Sequence, residues 1–275
     1  MFRPLQWYLA KRRFLSSNMR EATSRVGVAL RGHTARVEDF PPNMKSYERL
    51  APLWDAYASW FVPGYDWFLP SAGQYYRQSI RTVLDLACGT GLLTRRFAAW
   101  AESAVGLDAS EAMLKEARRR TGADNIRYVQ QDFRDFCLDV VFDGVVCGND
   151  SLNYVETHGE LADVFRCVGR HLRPGGLFLF DVLGESACRA LATMRTVVCV
   201  DGERFEIYSF YDPAGRESEC RVVIGGSVER HRRIPIDESD VECAARKSGL
   251  GVIEHFAPKV GIQHFYVLRK TPSPY

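Results

Sequence analysis

The sequence lacks the features that would mark a membrane protein, a zinc protein or a disulfide-stabilised secreted domain. It has no apolar run of about eighteen residues, the length that a bilayer-spanning helix needs. Its eight cysteines include no Cys-x-x-Cys pair and mostly lie in apolar surroundings, so we expect reduced core thiols of an intracellular protein. The formal net charge is only +2, which argues against binding nucleic acid or a membrane surface through overall charge.

Acidic residues are scarce at the N-terminus, where residues 1–45 carry nine basic and three acidic residues. Two interpretations stay open. An organellar transit peptide has this composition, and the protein would then act in the mitochondrial matrix. The alternative, which we favour, is a helical arm that packs on the body or on a second subunit. It predicts a cytoplasmic protein and a homodimer held by the arm.

The most informative stretch is VLDLACGTG at 83–91, an apolar run with one acid that ends in small residues and glycines. Apolar residues at helical spacing follow it, so it predicts a buried strand, a tight turn and a helix start. Glycines let a ligand lie against the backbone, and a helix start offers free N–H groups. We therefore expect this turn to hold a nucleotide-like cofactor within one α/β domain of a 275-residue chain.

A second signal narrows the class of cofactor. The apolar stretch 104–107 ends in Asp108, about twenty residues after the glycines, where a carboxylate can bind ribose hydroxyls. Thr94 replaces the third glycine of a dinucleotide fingerprint, which lies near a pyrophosphate. We therefore expect a ligand with an adenosine-type ribose and no pyrophosphate.

Four motifs in this order resemble the signature of class I S-adenosylmethionine-dependent methyltransferases: DLACGTG at 85–91, GLDAS at 106–110, QDF at 131–133 and LRPGG at 172–176. The resemblance extends from about Ser46 to Lys270. It implies an α/β fold, with a Rossmann-like sheet of seven mostly parallel strands and helices on both faces. It also implies S-adenosyl-L-methionine as cofactor and S-adenosyl-L-homocysteine as its product.

Two further features are similar to small-molecule methyltransferases of the glycine and sugar-amine N-methyltransferase type. An aromatic stretch precedes the core, and alternating segments between 196 and 236 predict an inserted antiparallel meander. The predicted parts are a basic N-terminal arm or presequence at 1–45, a helical aromatic cap at 46–80, the cofactor-binding core at 81–182 and 237–270, and a β lid over the acceptor site at 183–236.

The family pattern implies cofactor-binding roles for particular residues. In the family, the acid at Asp132 takes the adenine amino group, and Trp54 stands where a tyrosine is usual. The full implied set is Tyr47, Trp54, Asp85, Ala87, Gly89, Gly91, Asp108, Ala109, Met113, Asp132, Phe133 and Asn149.

Candidates for the acceptor side come from the cap and from polar residues after the fourth strand, because ligands of open α/β sheets bind at the carboxyl ends of strands. The candidate binding residues are Tyr57, Trp60, Tyr65, Asp150, Asn153 and Tyr154. The candidate catalytic residues are Tyr47, Asp150 and His231. The charge run at 229–233 is either a solvated strand or a strand on which His231 or Arg233 points inward, as a base or as an anchor for an acidic acceptor.

No metal is expected at this site. Asp150 and Asp181 could stand at the ends of the fourth and fifth strands, as the acids of metal-dependent catechol-type relatives do. Val182 follows instead of the asparagine that those relatives use, and no histidine is near in sequence.

The sequence therefore predicts S-adenosylmethionine-dependent methyl transfer to a nitrogen, oxygen or carbon atom of a small molecule, by in-line displacement in a closed cavity. The alternative is a methyltransferase-fold protein that binds the cofactor without methylating, as an assembly factor or a non-methylating catalyst. Methylation of nucleic acid or protein is disfavoured, because the body beyond residue 45 has no excess of basic residues.

Overall fold

A computed structural model of the chain describes residues 26–40, 47–58, 79–200, 202–256 and 263–271, with the backbone alone for 26–30. In chain order the strands of these residues are β1 (Val26–Gly32), β2 (Thr82–Leu86), β3 (Ser103–Asp108), β4 (Ile126–Gln130), β5 (Phe142–Cys147), β6 (Leu172–Leu183), β7 (Met194–Val200), β8 (Glu203–Asp212), β9 (Glu217–Ile224), β10 (Ser227–Arg233), β11 (Leu250–Phe256) and β12 (Gln263–Lys270). The α-helices are α1 (Trp54–Ala58), α2 (Leu92–Ala98), α3 (Glu111–Arg120), α4 (His158–His171), α5 (Glu185–Leu191) and α6 (Glu238–Arg246). Short 3-10 helices cover Val37–Asp39, Ala51–Leu53 and Ser151–Tyr154.

The core is a seven-stranded sheet with the order β11-β12-β6-β5-β2-β3-β4. The strands from β6 to β4 run parallel, and β12 is antiparallel to both of its neighbours. Residues 83–86 and all of β5 are buried, as central parallel strands must be when helices cover both faces. The predicted α/β fold, with a Rossmann-like, mostly parallel sheet, is confirmed.

Apolar side chains pack on both faces of this sheet. On one face α4 and α6 contribute Phe165 and Val241 to the core, and on the other α2 contributes Leu93 and Phe97. Because the parallel strands all point the same way, the loops after β2, β3, β4 and β5 meet at one edge of the sheet. That edge carries most of the residues predicted to bind ligands.

A second sheet of five antiparallel strands has the order β1-β7-β8-β9-β10. Its last four strands come from the region predicted as a lid, whereas β1 comes from the predicted N-terminal arm. β1 pairs with β7, from Val26 opposite Val200 to Gly32 opposite Met194. The expectation of a helical arm is therefore wrong for residues 26–32, which pair along their whole length with β7. The predicted division at residue 45 separates β1 from the sheet to which it belongs.

Asp143 of β5 joins the beginnings of three neighbouring strands. Its Oδ2 accepts backbone N–H bonds from Arg81 and Thr82, both at 2.9 Å, and a hydroxyl bond from Thr82 at 3.0 Å. Its Oδ1 accepts a bond from Arg173 of β6 at 2.8 Å. Burial alone would raise the pKa of Asp143, but these bonds outweigh burial, so its pKa lies below the usual value.

Replacing Asp143 with alanine should lower the free energy of unfolding by about 3 kcal/mol, because buried donors on β2 lose their acceptor. Urea denaturation at neutral pH measures this change. Asp139→Ala is the matched control, since Asp139 is an exposed carboxylate in the preceding loop. A loss of equal size in both variants would contradict a joining role for Asp143.

Candidate functional site

The loop after β2 is built from left-handed residues, with φ of +56° at Ala87, +56° at Gly89 and +71° at Gly91. Gly89 donates its backbone N–H to Asp108 Oδ2 at 2.7 Å, and Ser110 donates its own to Oδ1 at 2.8 Å. Asp108 therefore joins the loop after β2 to the loop after β3. Burial raises the pKa of Asp108, and these backbone bonds act in the opposite direction.

Four of the predicted cofactor residues enclose one space at this edge. A Cβ on Gly89 would lie 3.6 Å from Trp54 Nε1 and 3.9 Å from Met113 Sδ. Trp54 belongs to α1, Met113 belongs to α3, and Asp108 lies directly behind the loop. With backbone bonds from Gly89, Ser110 and Ala109, the Asp108 carboxylate keeps one acceptor position for a ribose hydroxyl, and an indole and a thioether flank the glycine. The residues present therefore fit an adenosine-containing cofactor.

Gly91 has a packing role that the sequence did not predict. A Cβ on Gly91 would lie 2.1 Å from the Tyr128 hydroxyl oxygen, and one on Gly106 would lie 2.7 Å from Tyr128 Cδ1. Gly91 also donates its N–H to the Cys88 carbonyl at 3.0 Å. The phenol of Tyr128 on β4 thus takes the space that Gly91 was expected to leave for a cofactor. Sequence analysis missed Tyr128.

Asp85 is buried beneath the loop, 2% exposed, and accepts a hydrogen bond from the Thr94 hydroxyl at 2.6 Å. Burial raises the pKa of Asp85 to about 7, although the Thr94 bond acts to lower it. In the sequence, Thr94 was notable only because it stands at the position of the third glycine of a dinucleotide fingerprint. In the structure it is the hydrogen-bond partner of a carboxyl group removed from water.

The remaining predicted cofactor residues follow β3, β4 and β5. Ala109 is exposed beside Asp108, and Phe133 packs half-buried against the core. Asp132 accepts bonds from Arg134, from Nε at 2.9 Å and from Nη2 at 2.6 Å, which lower the pKa of Asp132. The structure therefore gives Asp132 a partner, Arg134, that sequence analysis did not name.

Strained backbone is concentrated near this edge. The non-glycine residues with positive φ in the described ranges are Tyr47, Ala87, Asn149, Asp150 and Arg216, and only Arg216 lies far from it. Such conformations cost of order 1–3 kcal/mol each and are typical of functional sites. Asn149, predicted to contact the cofactor, owes its place at the end of β5 to this left-handed turn.

We call residues 47–58 the aromatic segment, and Asp55 holds it against the loop after β2. The Asp55 carboxylate accepts the Thr90 hydroxyl and pairs with Arg95 at 2.6 Å and with Arg120 at 2.7 Å. Arg95 also donates to the Thr90 carbonyl at 2.6 Å. The sequence gives no sign of this role for Asp55, because its partners lie far along the chain.

Tyr47, Tyr154 and His231 form one hydrogen-bonded chain. The Tyr47 hydroxyl donates to that of Tyr154 at 2.7 Å, and the Tyr154 hydroxyl lies 3.1 Å from His231 Nδ1. Desolvation raises the pKa of both phenols well above the usual value, so both stay protonated. His231 is 4% exposed, whereas the side chain of Arg232 is 59% exposed. This alternation favours the interpretation in which His231 points inward.

Asp150 lies beside this chain of hydroxyls and pairs with Arg233 of β10. Its other oxygen lies 3.4 Å from Gln263 Nε2, and Arg233 Nη2 also contacts Cys220 Sγ at 2.8 Å. Burial raises the pKa of Asp150, and Arg233 opposes that shift. Arg233 points inward, as one interpretation predicted, but an internal carboxylate already occupies it. The ring of Tyr57 packs nearby, 5.6 Å from that of Phe205 in the second sheet.

Asn153 differs from its prediction as an acceptor contact. It is fully buried, and its Nδ2 donates to the carbonyls of Leu183 at 2.8 Å and Ile234 at 2.7 Å. Its Oδ1 accepts the Leu183 N–H at 3.0 Å. The side chain of Asn153 therefore joins β6 to the residues after β10. Trp60 and Tyr65, the other aromatic candidates, lie outside the described residues.

Among the residues described, no group of histidine, cysteine, aspartate and glutamate side chains could hold a metal ion. Asp181 accepts the backbone N–H of Asp150 at 3.0 Å. No helix in the described part of the chain is long and apolar enough to cross a membrane.

Comparisons with known proteins agree with this geometry. Residues 83–176 match the methyltransferase domain family. A dTDP-4-amino-2,3,4,6-tetradeoxy-D-glucose N,N-dimethyltransferase of Saccharopolyspora spinosa is 36% identical over 138 residues, which are 48% of this chain and 53% of that protein. An S-adenosylmethionine-dependent methyltransferase from Clostridium acetobutylicum superposes with a TM-score of 0.69 at 22% identity, covering 82% of this chain and 99% of that one. DesVI of Streptomyces venezuelae gives a TM-score of 0.65 at 25% identity, covering 81% and 98%.

The fold and the site define a nucleotide-cofactor-binding α/β protein. More particularly, residues 83–176 match the methyltransferase domain family, and the chain has the fold of class I S-adenosylmethionine-dependent methyltransferases. S-adenosyl-L-methionine is the cofactor of this class, and the space around Gly89 and Asp108 fits it. The chain spans between 41% and 53% of the length of the curated relatives aligned first.

The buried Asp85 gives a test of this site by stability. Because folding raises its pKa to about 7, the folded protein binds a proton that the unfolded chain releases near pH 4. The free energy of unfolding should therefore fall as pH rises through this window. Asp85→Asn, which cannot ionise, should gain about 2–3 kcal/mol over the unaltered protein between about pH 5 and pH 8.

Urea denaturation at the two pH values measures this relative gain. Asp139→Asn, at an exposed position, controls for the loss of one carboxylate. Parallel stability profiles for Asp85→Asn and the unaltered protein would contradict a raised pKa at Asp85.

Proposed function

We propose that this protein transfers a methyl group from S-adenosyl-L-methionine to an amine of a polar small molecule. One observation carries the proposal. The glycine loop with Asp108 and the hydrogen-bonded chain from Tyr47 to His231 lie on the two sides of the aromatic segment. Trp54 is shared, since its indole lies 3.6 Å from the Cβ position of Gly89 and its ring centroid 5.9 Å from that of Tyr47. The proposed cofactor site and the proposed acceptor site would therefore adjoin.

The cofactor supplies a methyl group on a sulfonium, an electrophile that an amine lone pair can attack. The protein's part is binding and orientation. Asp108 would accept the ribose hydroxyls, the bare backbone at Gly89 admits the ligand, and Met113 offers an apolar wall. The faces of Trp54 and Tyr47 suit a sulfonium, because aromatic rings attract cations.

The acceptor side suits an amine better than a hydroxyl or a carbon nucleophile. A neutral amine needs little help from a base, whereas the other two need a strong one. Tyr47 and Tyr154 stay protonated, and Asp150 is paired with Arg233, so the group of this cluster that remains to assist is the imidazole of His231, which is a weak base. Hydroxyls, an imidazole and a carboxylate can all bond to a polar acceptor.

The names of three relatives support the same class of acceptor. Two are N,N-dimethyltransferases of dTDP-linked amino sugars, and another is cypemycin N-terminal methyltransferase. We infer that this chain acts on an amine of such a polar biosynthetic intermediate. Its eight free thiols support a reducing, cytoplasmic compartment. A homodimer held by N-terminal residues stays a prediction.

The competing function is a protein that binds the cofactor without transferring its methyl group. The glycine loop and Asp108 favour cofactor binding under both functions. Only turnover separates them.

Calorimetry with S-adenosyl-L-methionine should show binding that Asp108→Ala weakens roughly 10- to 100-fold, because charged hydrogen bonds to the ribose are lost. Asp124→Ala, at an exposed position, should bind as the unaltered protein does. Thermal unfolding of each variant shows whether it is folded. Failure of the folded, unaltered protein to bind would overturn the cofactor assignment.

Formation of S-adenosyl-L-homocysteine with a panel of amines tests the transfer itself. The panel includes dTDP-linked amino sugars, each paired with the analogue that carries a hydroxyl in place of the amine. We expect product with at least one amine and little with its hydroxyl analogue. Cofactor binding without turnover on the whole panel would favour the non-methylating alternative.

A further inference from the structure

Glu229 on β10 holds the aromatic segment, although in the sequence it appeared only as the first residue of the charge run at 229–233. It is 1% exposed. Its Oε2 accepts the backbone N–H of Tyr47 at 2.8 Å, and its Oε1 accepts those of Arg49 at 2.5 Å and Leu50 at 3.2 Å. One carboxylate of the second sheet thus fixes the backbone that carries the left-handed Tyr47.

The same carboxylate faces His231. Residues two apart on a strand share a face, and Glu229 Oε2 lies 3.6 Å from His231 Nε2. Across the ring, His231 Nδ1 lies 3.1 Å from the Tyr154 hydroxyl, which accepts from Tyr47 at 2.7 Å. Buried hydrogen bonds therefore run from Tyr47 through Tyr154 to His231, whose Nε2 faces the Glu229 carboxylate at 3.6 Å and makes no hydrogen bond to another group.

The hydrogen bonds among Tyr47, Tyr154 and His231 all point in one direction. A negative carboxylate favours a proton on the ring nitrogen that faces it, so we expect His231 to carry its proton on Nε2, which leaves Nδ1 to accept from Tyr154. Burial would raise the pKa of Glu229, but bonds from His231 and from the backbone of Arg49 and Tyr47 outweigh it and leave the pKa low. Each group then donates toward Glu229, and the Tyr47 oxygen can accept a proton from a ligand.

We propose that Glu229 is a positioning residue for proton removal from the acceptor amine: it sets the tautomer and orientation of His231, which receives the proton through Tyr154 and Tyr47. The proposal rests on the proposed methyl transfer to an amine. It differs from a direct catalytic role for Tyr47, because a buried phenol of raised pKa relays a proton and does not keep it.

An acceptor ammonium gives one proton to the Tyr47 oxygen while Tyr47 passes its own to Tyr154 and Tyr154 passes its own to His231 Nδ1. The products are a neutral amine and an imidazolium beside the Glu229 carboxylate. The amine lone pair then forms the nitrogen–carbon bond, and the carbon–sulfur bond breaks with its electrons on sulfur. His231 afterwards releases its proton to water.

Other charged groups face this chain from the neighbouring elements. Cys220 of β9 is directly opposite His231 in the sheet register, and Arg233 lies two residues further along β10. Arg233 is paired with Asp150. This pairing leaves His231 as the group of the cluster that can take up a proton.

The experiment compares Glu229→Gln, His231→Gln and the double variant, with Glu217→Gln as the control. Glu217 forms an ion pair with the exposed Arg232 on the same hairpin. We expect each single variant to lower kcat about 100-fold, with KM for the amine changed by no more than about threefold. The double variant should be no more than about threefold slower than the slower single variant, because both substitutions interrupt the same proton relay. Glu217→Gln should keep the unaltered kcat.

Additive losses in the double variant would overturn the proposal, since Glu229 would then only hold the aromatic segment. Nitrogen-15 NMR of the six histidines reports the tautomer of His231 without turnover. The His231 signals are identified as those that are absent from the spectrum of His231→Gln. We expect the Nε2–H tautomer of His231 in the unaltered protein. An Nδ1–H tautomer would overturn the proposal even if Glu229→Gln failed to fold. Absent turnover with the expected tautomer would instead count against the amine as acceptor.

Discussion

Buried carboxylates join this protein together where separate parts of the chain meet. A carboxylate removed from water needs several donors, and its two oxygens offer about four acceptor positions. Asp143 joins β2 to β5 and β6, and Asp108 joins the loops after β2 and β3. Asp55 and Glu229 hold opposite ends of the aromatic segment, one against the glycine loop and the other against the second sheet. The site between the two sheets therefore depends on satisfied buried charge.

The two sides of the site offer different chemical groups. Near Gly89 the chain offers a bare backbone, a carboxylate and apolar walls, which suit the adenosine portion of a cofactor. Near Tyr47 it offers phenols that burial keeps protonated and an imidazole beside an ionised Glu229. In the proposed function, binding and proton movement would therefore belong to different elements, with Trp54 between them.

The cofactor half of the site could be predicted because its signals are local. The glycine loop and Asp108 each follow an apolar strand directly, and parallel strands bring their carboxyl ends together whatever the loops contain. The acceptor half depends on contacts between distant parts of the chain. Nothing near Glu229 in the sequence indicates that its partners are the backbone N–H groups of residues 47–50. Asn153 was likewise predicted to contact the acceptor, whereas in the structure its amide donates to the carbonyls of Leu183 and Ile234.

By itself, the sequence determined the α/β class, the glycine loop and the carboxylate that follows β3, because hydrophobic periodicity and short-range turn chemistry encode them. Only the tertiary structure decided that Tyr128 takes the space beside Gly91, that β1 completes the second sheet, and which face of β10 points inward. The physical reason is that a residue's local sequence pattern does not identify the neighbour against which its side chain will pack. The partners of polar residues are then set by packing between elements that are distant in sequence.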